Sequence, residues 1–174
     1  MIKKAILAAT LLFVLAAANA GALQVQIIVG LSAFFPTVEV SVLTPPGAMG
    51  GYQQEIGLRL VTIGDLFTYL DLVLRSWWSF PGSRSDFLRY RFRCGVEYSP
   101  TLYCQVIDGC GGWLSAVKLG FCSSFRLNDP SAVNTTDLFL SILGYLEVLS
   151  CRPLDLAAPE LWVIAGVAFR SQDL

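Results

Sequence analysis

The chain has 174 residues, of which 55% are apolar and only 14% charged, and it contains no histidine. The lack of histidine removes the usual general base, the Ser-His-Asp arrangement and His-ligated zinc or iron sites, and 12 basic against 13 acidic residues make no electrostatic case for nucleic acid. Soluble domains carry about 25% charged residues, so this chain is too oily for one unless its apolar residues are dispersed at period 2 or fill an unusually large core.

The first segment is MIKKAILAATLLFVLAAANA, in which Lys3 and Lys4 precede an apolar run from Ala5 to Ala17 and a small-residue ending at Ala18, Asn19 and Ala20. That is the layout of a cleavable secretory signal, with an apolar core shorter than the ~20 residues of a bilayer-spanning helix. The sequence predicts a signal over residues 1–20 and one domain over 21–174. Cleavage removes two lysines and leaves a net charge of −3. Beyond this segment no run of ~18 apolar residues occurs.

From there onward the residues segregate by parity, as in a strand lying between two different environments. In ALQVQIIVGLSAFF, Val25, Ile27, Val29 and Leu31 oppose Gln24, Gln26, Gly30 and Ser32. After Pro36, TVEVSVLT sets Val38, Val40 and Val42 against Glu39 and Ser41. The breaker-rich loop TPPGAMGG follows, and then QEIGLRLV opposes Ile56, Leu58 and Leu60 to Glu55, Gly57 and Arg59. In LFTYLDLVLRSWW, Leu70, Leu72 and Leu74 oppose Asp71 and Arg75 as in a strand, yet Thr68, Asp71 and Arg75 also recur at helical spacing.

FLRYRFRCGVEYSP is the longest alternating stretch, with Arg89, Arg91, Arg93 and Glu97 on one parity and Tyr90, Phe92, Val96 and Tyr98 on the other. A short LYCQVI follows Pro100. GWLSAVKLGFCSSF then separates Val117, Leu119 and Phe121 from Lys118, Gly120 and Cys122. DLFLSILGYLEVL reads as helix or strand, since Asp137, Ser141, Gly144 and Glu147 could line either. LWVIAGVAF alternates again. The count is eight strands, or nine with LYCQVI as its own strand, in an antiparallel meander. The shortest turns fall around Pro36, Gly64 and Pro100.

Two settings give such segregation: a soluble sheet with one face on a core, and a membrane barrel with one face on lipid. Here the polar faces hold Arg59, Arg75, Arg89, Arg91, Arg93 and Lys118 against Glu39, Glu55, Asp71, Glu97 and Glu147. That near balance fits an internal ion-pair network, because a guanidinium can hold two carboxylates in a fixed fork. Arg89, Arg91 and Arg93 then read as counter-ions to Asp71, Glu97 and Glu147. Gly30, Gly57, Gly95, Gly120 and Gly166 share those faces and would make room for long side chains. Aromatic residues near strand ends, among them Phe34, Tyr52, Trp77, Trp78, Tyr98, Tyr103, Trp113 and Trp162, read as interfacial girdles. The five cysteines lie outside any C-x-x-C spacing, and Cys104 with Cys110 is the disulfide expected of an exported chain.

The run RFRCGVEYSPTLYCQV resembles the strand, Ser-Pro turn, strand hairpins of small bacterial outer-membrane β-barrels, and ELWVIAGVAFR resembles a penultimate or closing strand of that kind. The resemblance implies an all-β antiparallel meander closed into a transmembrane barrel of about eight strands, eight to ten in range. It further implies a non-enzymatic, structural or surface-contact role in the outer membrane, with lipid and an envelope or extracellular partner as neighbours and no cofactor, and a monomer is expected. The alternative reading is a secreted or periplasmic soluble binding domain, a disulfide-containing β-sandwich or α+β fold.

Overall fold

The computed structural model describes residues 24–32, 34–44, 52–63, 67–79, 92–106, 111–128, 134–147 and 161–171. They form eight strands: β1 (Gln24–Ser32), β2 (Phe35–Leu43), β3 (Tyr52–Ile63), β4 (Phe67–Ser79), β5 (Phe92–Val106), β6 (Gly111–Arg126), β7 (Asn134–Glu147) and β8 (Leu161–Ser171). Each strand pairs antiparallel with its neighbours in sequence, and β8 returns to β1 to close a barrel. Closure satisfies both edges of every strand, including the two that an open meander would leave unpaired.

The segments that read equally well as helix are strands β4 and β7. Their leucines carry no weight against the pattern: Leu70, Leu72 and Leu74 point away from the lumen while Asp71, Val73, Arg75 and Trp77 are buried inside it. Period 2 lets each strand divide its residues between the two surfaces, which a helix over the same residues could not do.

The Ser-Pro turn expected at Pro100 does not form. RFRCGVEYSPTLYCQV lies within the single strand β5, and LYCQVI is its second half. Leu70 pairs with Tyr103 and Asp71 with Thr101, so β5 carries Leu102 as one extra residue against β4. This bulge flips the parity: the buried positions run Arg93, Gly95, Glu97, Ser99, Thr101 and then Cys104. Pro100, which has no N–H for the ladder, is placed just before that irregularity, where bulges tolerate it. The short connections are residues 33–34, then 64–66, which contains the expected Gly64, and 107–110, while Pro36 lies within β2. At the first of them Phe34 adopts φ 74° and is 92% exposed, an unusual conformation for a bulky residue.

Connections 44–51, 80–91 and 127–133 leave from the end of the barrel that also carries Gln24 and Ser171, and 148–160 joins the short ones at the other end. The outer wall is mostly apolar, with exposed polar residues such as Gln54, Gln105 and Asn134 near the strand ends. Ile27, Val29, Val38, Ile56, Leu74, Val96, Leu119, Phe121, Leu140, Ile142 and Val163 are all exposed, and among the described residues no Asp, Glu, Lys or Arg side chain is.

The five inward glycines do not open space in the lumen. Gly30 and Gly166 face each other where β1 meets β8. A Cβ on Gly166 would come within 2.6 Å of the Val29 carbonyl oxygen and 2.9 Å of Gly30 Cα. These residues let neighbouring backbones approach at the seam, a common reason for glycine within a strand.

Candidate functional site

Among the described residues, chemistry-bearing side chains converge in the lumen. An eight-stranded barrel has an interior just wide enough to be filled by side chains, and here most of the filling is polar. Five cations (Arg59, Arg75, Arg93, Lys118, Arg170) and five anions (Glu39, Glu55, Asp71, Glu97, Asp137) are buried among the described residues. Ions removed from water must be paired and hydrogen-bonded or they destabilise the fold by several kcal/mol each, so the equal count is a condition for stability.

At mid-height two arginines are shared among three glutamates. Arg59 donates from Nε to Glu39 at 3.0 Å and from Nη2 to Glu97 at 2.5 Å. Arg75 donates from Nε to Glu97 and from Nη1 to Glu55, each at 2.8 Å, and both of its terminal nitrogens reach Glu39. Neutral donors complete the carboxylates: Trp77 Nε1 at 2.5 Å and Gln26 Nε2 at 2.9 Å to Glu55, Ser41 also to Glu55, and Ser99 and Ser141 to Glu97 at 3.1 and 2.9 Å. The Arg75 guanidinium additionally lies over the Phe139 ring. This middle layer is therefore satisfied on nearly every side.

Toward the end with the short connections, Lys118 donates to both oxygens of Asp71 at 2.8 Å and to Thr101 at 2.9 Å. Its ammonium also lies 5.0 Å from the centroid of Trp162. Trp162 stacks on Tyr145, meets Tyr69 edge-on and donates to Ser32. Lys118 thus occupies the aromatic cluster as a resident cation, a favourable placement for a desolvated ammonium.

At the opposite end Arg93 reaches Asp137 at 3.4 Å, and Arg170 reaches the same carboxylate oxygen at 3.6 Å. Ser124 donates to that oxygen at 2.7 Å, and the Arg93 guanidinium lies 4.4 Å from the Trp77 ring centroid.

Of the expected network residues, Glu39, Glu55, Arg59, Asp71, Arg75, Arg93, Glu97 and Lys118 all line the lumen. Arg89 and Arg91 lie outside the described residues, as does the side chain of Glu147. The expected partners change, however. Arg93 meets Asp137, while Asp71 meets Lys118 and Glu97 meets Arg59 and Arg75. The pairing follows register: Arg59 and Arg75 are direct cross-strand partners of Glu39 and of Glu55 and Glu97, respectively, while Lys118 and Arg93 reach carboxylates two strands away. Sequence reading left Arg170 out, and placed Asp137 on a polar face of its segment without assigning it to the network. The parity signal contained both, since Arg170 follows LWVIAGVAF on the parity of Trp162 and Ile164.

Two expected girdle residues are also reassigned: Trp77 and Trp162 point inward as hydrogen-bond donors to Glu55 and Ser32. Tyr52 and Trp78 remain on the outer rim with ring centroids 5.7 Å apart, and Tyr103 is at the other rim. Cys104 is a buried thiol, and Cys110 lies outside the described residues.

Among the described residues no group of three His, Cys, Asp or Glu side chains is placed to hold a metal ion. A cleft of about 340 Å³ lies on the outer wall over Gly95, between Trp78, Val96, Phe121, Leu140 and Ile142. Comparison of the chain with protein-family models, with curated proteins and with solved structures gives no match.

Proposed function

We propose that the chain is a non-enzymatic outer-membrane β-barrel, exported by a signal over residues 1–20 and inserted as a monomer. The observation that carries this reading is the inverted polarity of the barrel: every buried ion faces the lumen, and no described charged side chain is exposed on the wall. A soluble barrel distributes its residues the other way, with apolar side chains within and charges in water. A lipid-facing wall explains the apolar exterior, and a closed sheet is the only sheet that can cross hydrocarbon without unpaired edges.

Strand lengths support the same reading. The shortest strands, β1 and β2, have 9 residues each and β6 has 16, which meets the ~9–11 residues needed for a tilted crossing. Tyr52, Trp78 and Tyr103 on the outer rims suit the interfacial positions that amphipathic rings favour.

The role that best fits is structural and surface-contacting, without conduction. Arg59, Glu97 and Lys118 have no exposed surface, and their bonds join β3, β4, β5 and β6 across the lumen. Contact with a partner falls to the connections, of which 80–91 and 127–133 are the candidates, with FPGSRSDFLRYR and LNDPSAV as their sequences.

The test is fractionation of the full-length protein expressed with its own N-terminal segment. The expected result is recovery with outer membranes and a change in gel mobility between unheated and heated samples. Recovery as a soluble periplasmic monomer would remove this reading.

A further inference from the structure

The ten buried charges are not held equally well. The seven at the middle and at the short-connection end carry hydrogen bonds of 2.5–3.0 Å to one another. Arg93, Arg170 and Asp137 form a looser group near the rim that carries Gln24 and Ser171. Arg93 makes contacts of 3.3 Å to Gln53 and Ser124 and of 3.4 Å to Gln26 and Asp137. Arg170 adds 3.2 Å to Thr135 and 3.6 Å to Asp137.

Two guanidiniums therefore approach the same oxygen of a single carboxylate, Oδ2 of Asp137, and a third arginine, Arg126, is the direct register partner of Asp137 on β6. Two buried polar atoms in this group have no partner: Nε of Arg93, a donor, and Oδ1 of Asp137, an acceptor. Both belong to side chains more than nine-tenths buried, at 9% and 2% exposure. A buried polar group left in that state is unfavourable unless something else completes it.

The chemistry of the missing group follows from these two atoms. Negative charge suits this rim locally, where, among the described residues, Asp137 is the one buried carboxylate beside Arg93, Arg170 and its register partner Arg126. The group must accept from Arg93 Nε and present several oxygens to the Arg170 fork, as tetrahedral oxyanions do. It must also donate a hydrogen bond to Asp137 Oδ1, because an oxyanion with no proton would set its lone pairs against that carboxylate. We propose that this rim of the lumen binds a hydrogenphosphate-type anion, a phosphate that retains one O–H. The phosphate is carried either as the free inorganic ion or as the phosphomonoester headgroup of a lipid.

The experiment uses full-length protein in detergent micelles at neutral pH, titrated with inorganic phosphate and followed by phosphorus NMR, with sulfate as competitor. Saturable phosphate binding is expected, with sulfate weaker by about tenfold or more, since sulfate lacks the proton that Asp137 accepts. Asp137→Asn replaces an acceptor with an amide able to donate and should remove that preference. Arg170→Gln should weaken phosphate by about tenfold or more with the far-ultraviolet spectrum unchanged.

Reconstitution then identifies the source. Enrichment of phosphatidic acid over the diester phosphatidylglycerol around the protein supports a lipid monoester, and phosphate binding without such enrichment supports the free ion. Two results on the unsubstituted, folded protein would overturn the proposal: no saturable phosphate binding, or equal affinity for phosphate and sulfate.

Discussion

Arg75 on β4 and Glu97 on β5 are direct cross-strand partners, and the Nε of the first donates to Oε2 of the second at 2.8 Å inside the barrel. Breaking a buried ion pair from one side strands the other charge, which destabilises by ~3–5 kcal/mol. Glu97→Ala and Arg75→Ala are each expected to lose stability of that order in urea unfolding from micelles. The double variant should lose less than the sum, because it strands neither partner of this pair. Strict additivity would mean that the two side chains act independently.

The outer wall gives a sharper distinction. Phe121 is 74% exposed at mid-height on β6. A surface substitution in water changes stability by roughly ±0.5 kcal/mol, whereas an arginine facing the bilayer midplane is unfavourable by ~2–4 kcal/mol. Phe121→Arg is expected to fall in the second range when unfolding is measured from lipid vesicles. A near-neutral result would mean that this wall is not in lipid.

Adjacent tryptophans report the two environments separately. Trp77 is fully buried with its Nε1 on Glu55, and Trp78 is 44% exposed on the outer rim. Variants in which Trp77 or Trp78 is the sole tryptophan left of the four should differ in vesicles made with brominated acyl chains: Trp78 fluorescence quenched, Trp77 fluorescence retained. Equal quenching would contradict the inward assignment of Trp77.

The seam between β1 and β8 offers a backbone test. A methyl group at Gly166 would meet the Val29 carbonyl oxygen at 2.6 Å, while at Gly144 the nearest atom is 3.5 Å away, ordinary van der Waals contact. Gly166→Ala should destabilise by ~1–3 kcal/mol, the usual range for forced overpacking, and Gly144→Ala should be near neutral. Unfolding midpoints of the two variants, measured side by side, check the difference.

Much of the fold was legible because alternation is a local property. A strand between two media must place its residues by parity, so Glu39, Arg59, Asp71 and Lys118 could be assigned to one surface without knowing their neighbours. The same logic carried the eight-strand meander, and it failed where the period itself was interrupted. The bulge at Leu102 shifts parity within β5, so one strand read as two joined by a Ser-Pro turn. Trp77 was misplaced for a different reason: aromatic rings near strand ends suit a lipid interface, but an indole N–H also suits a buried carboxylate.

Which surface most side chains face was thus determined by the sequence alone, since outside the bulge of β5 it depends only on residues one and two positions away. Which charge meets which was decided by strand register and, for the pairs that skip a strand, by the curvature of the closed barrel. Ring closure and register bring together Arg75 with Glu39, Arg93 with Asp137, and Trp162 with Ser32, pairs far apart along the chain. No local pattern encodes such contacts, because the path across the lumen exists only after β8 has paired with β1.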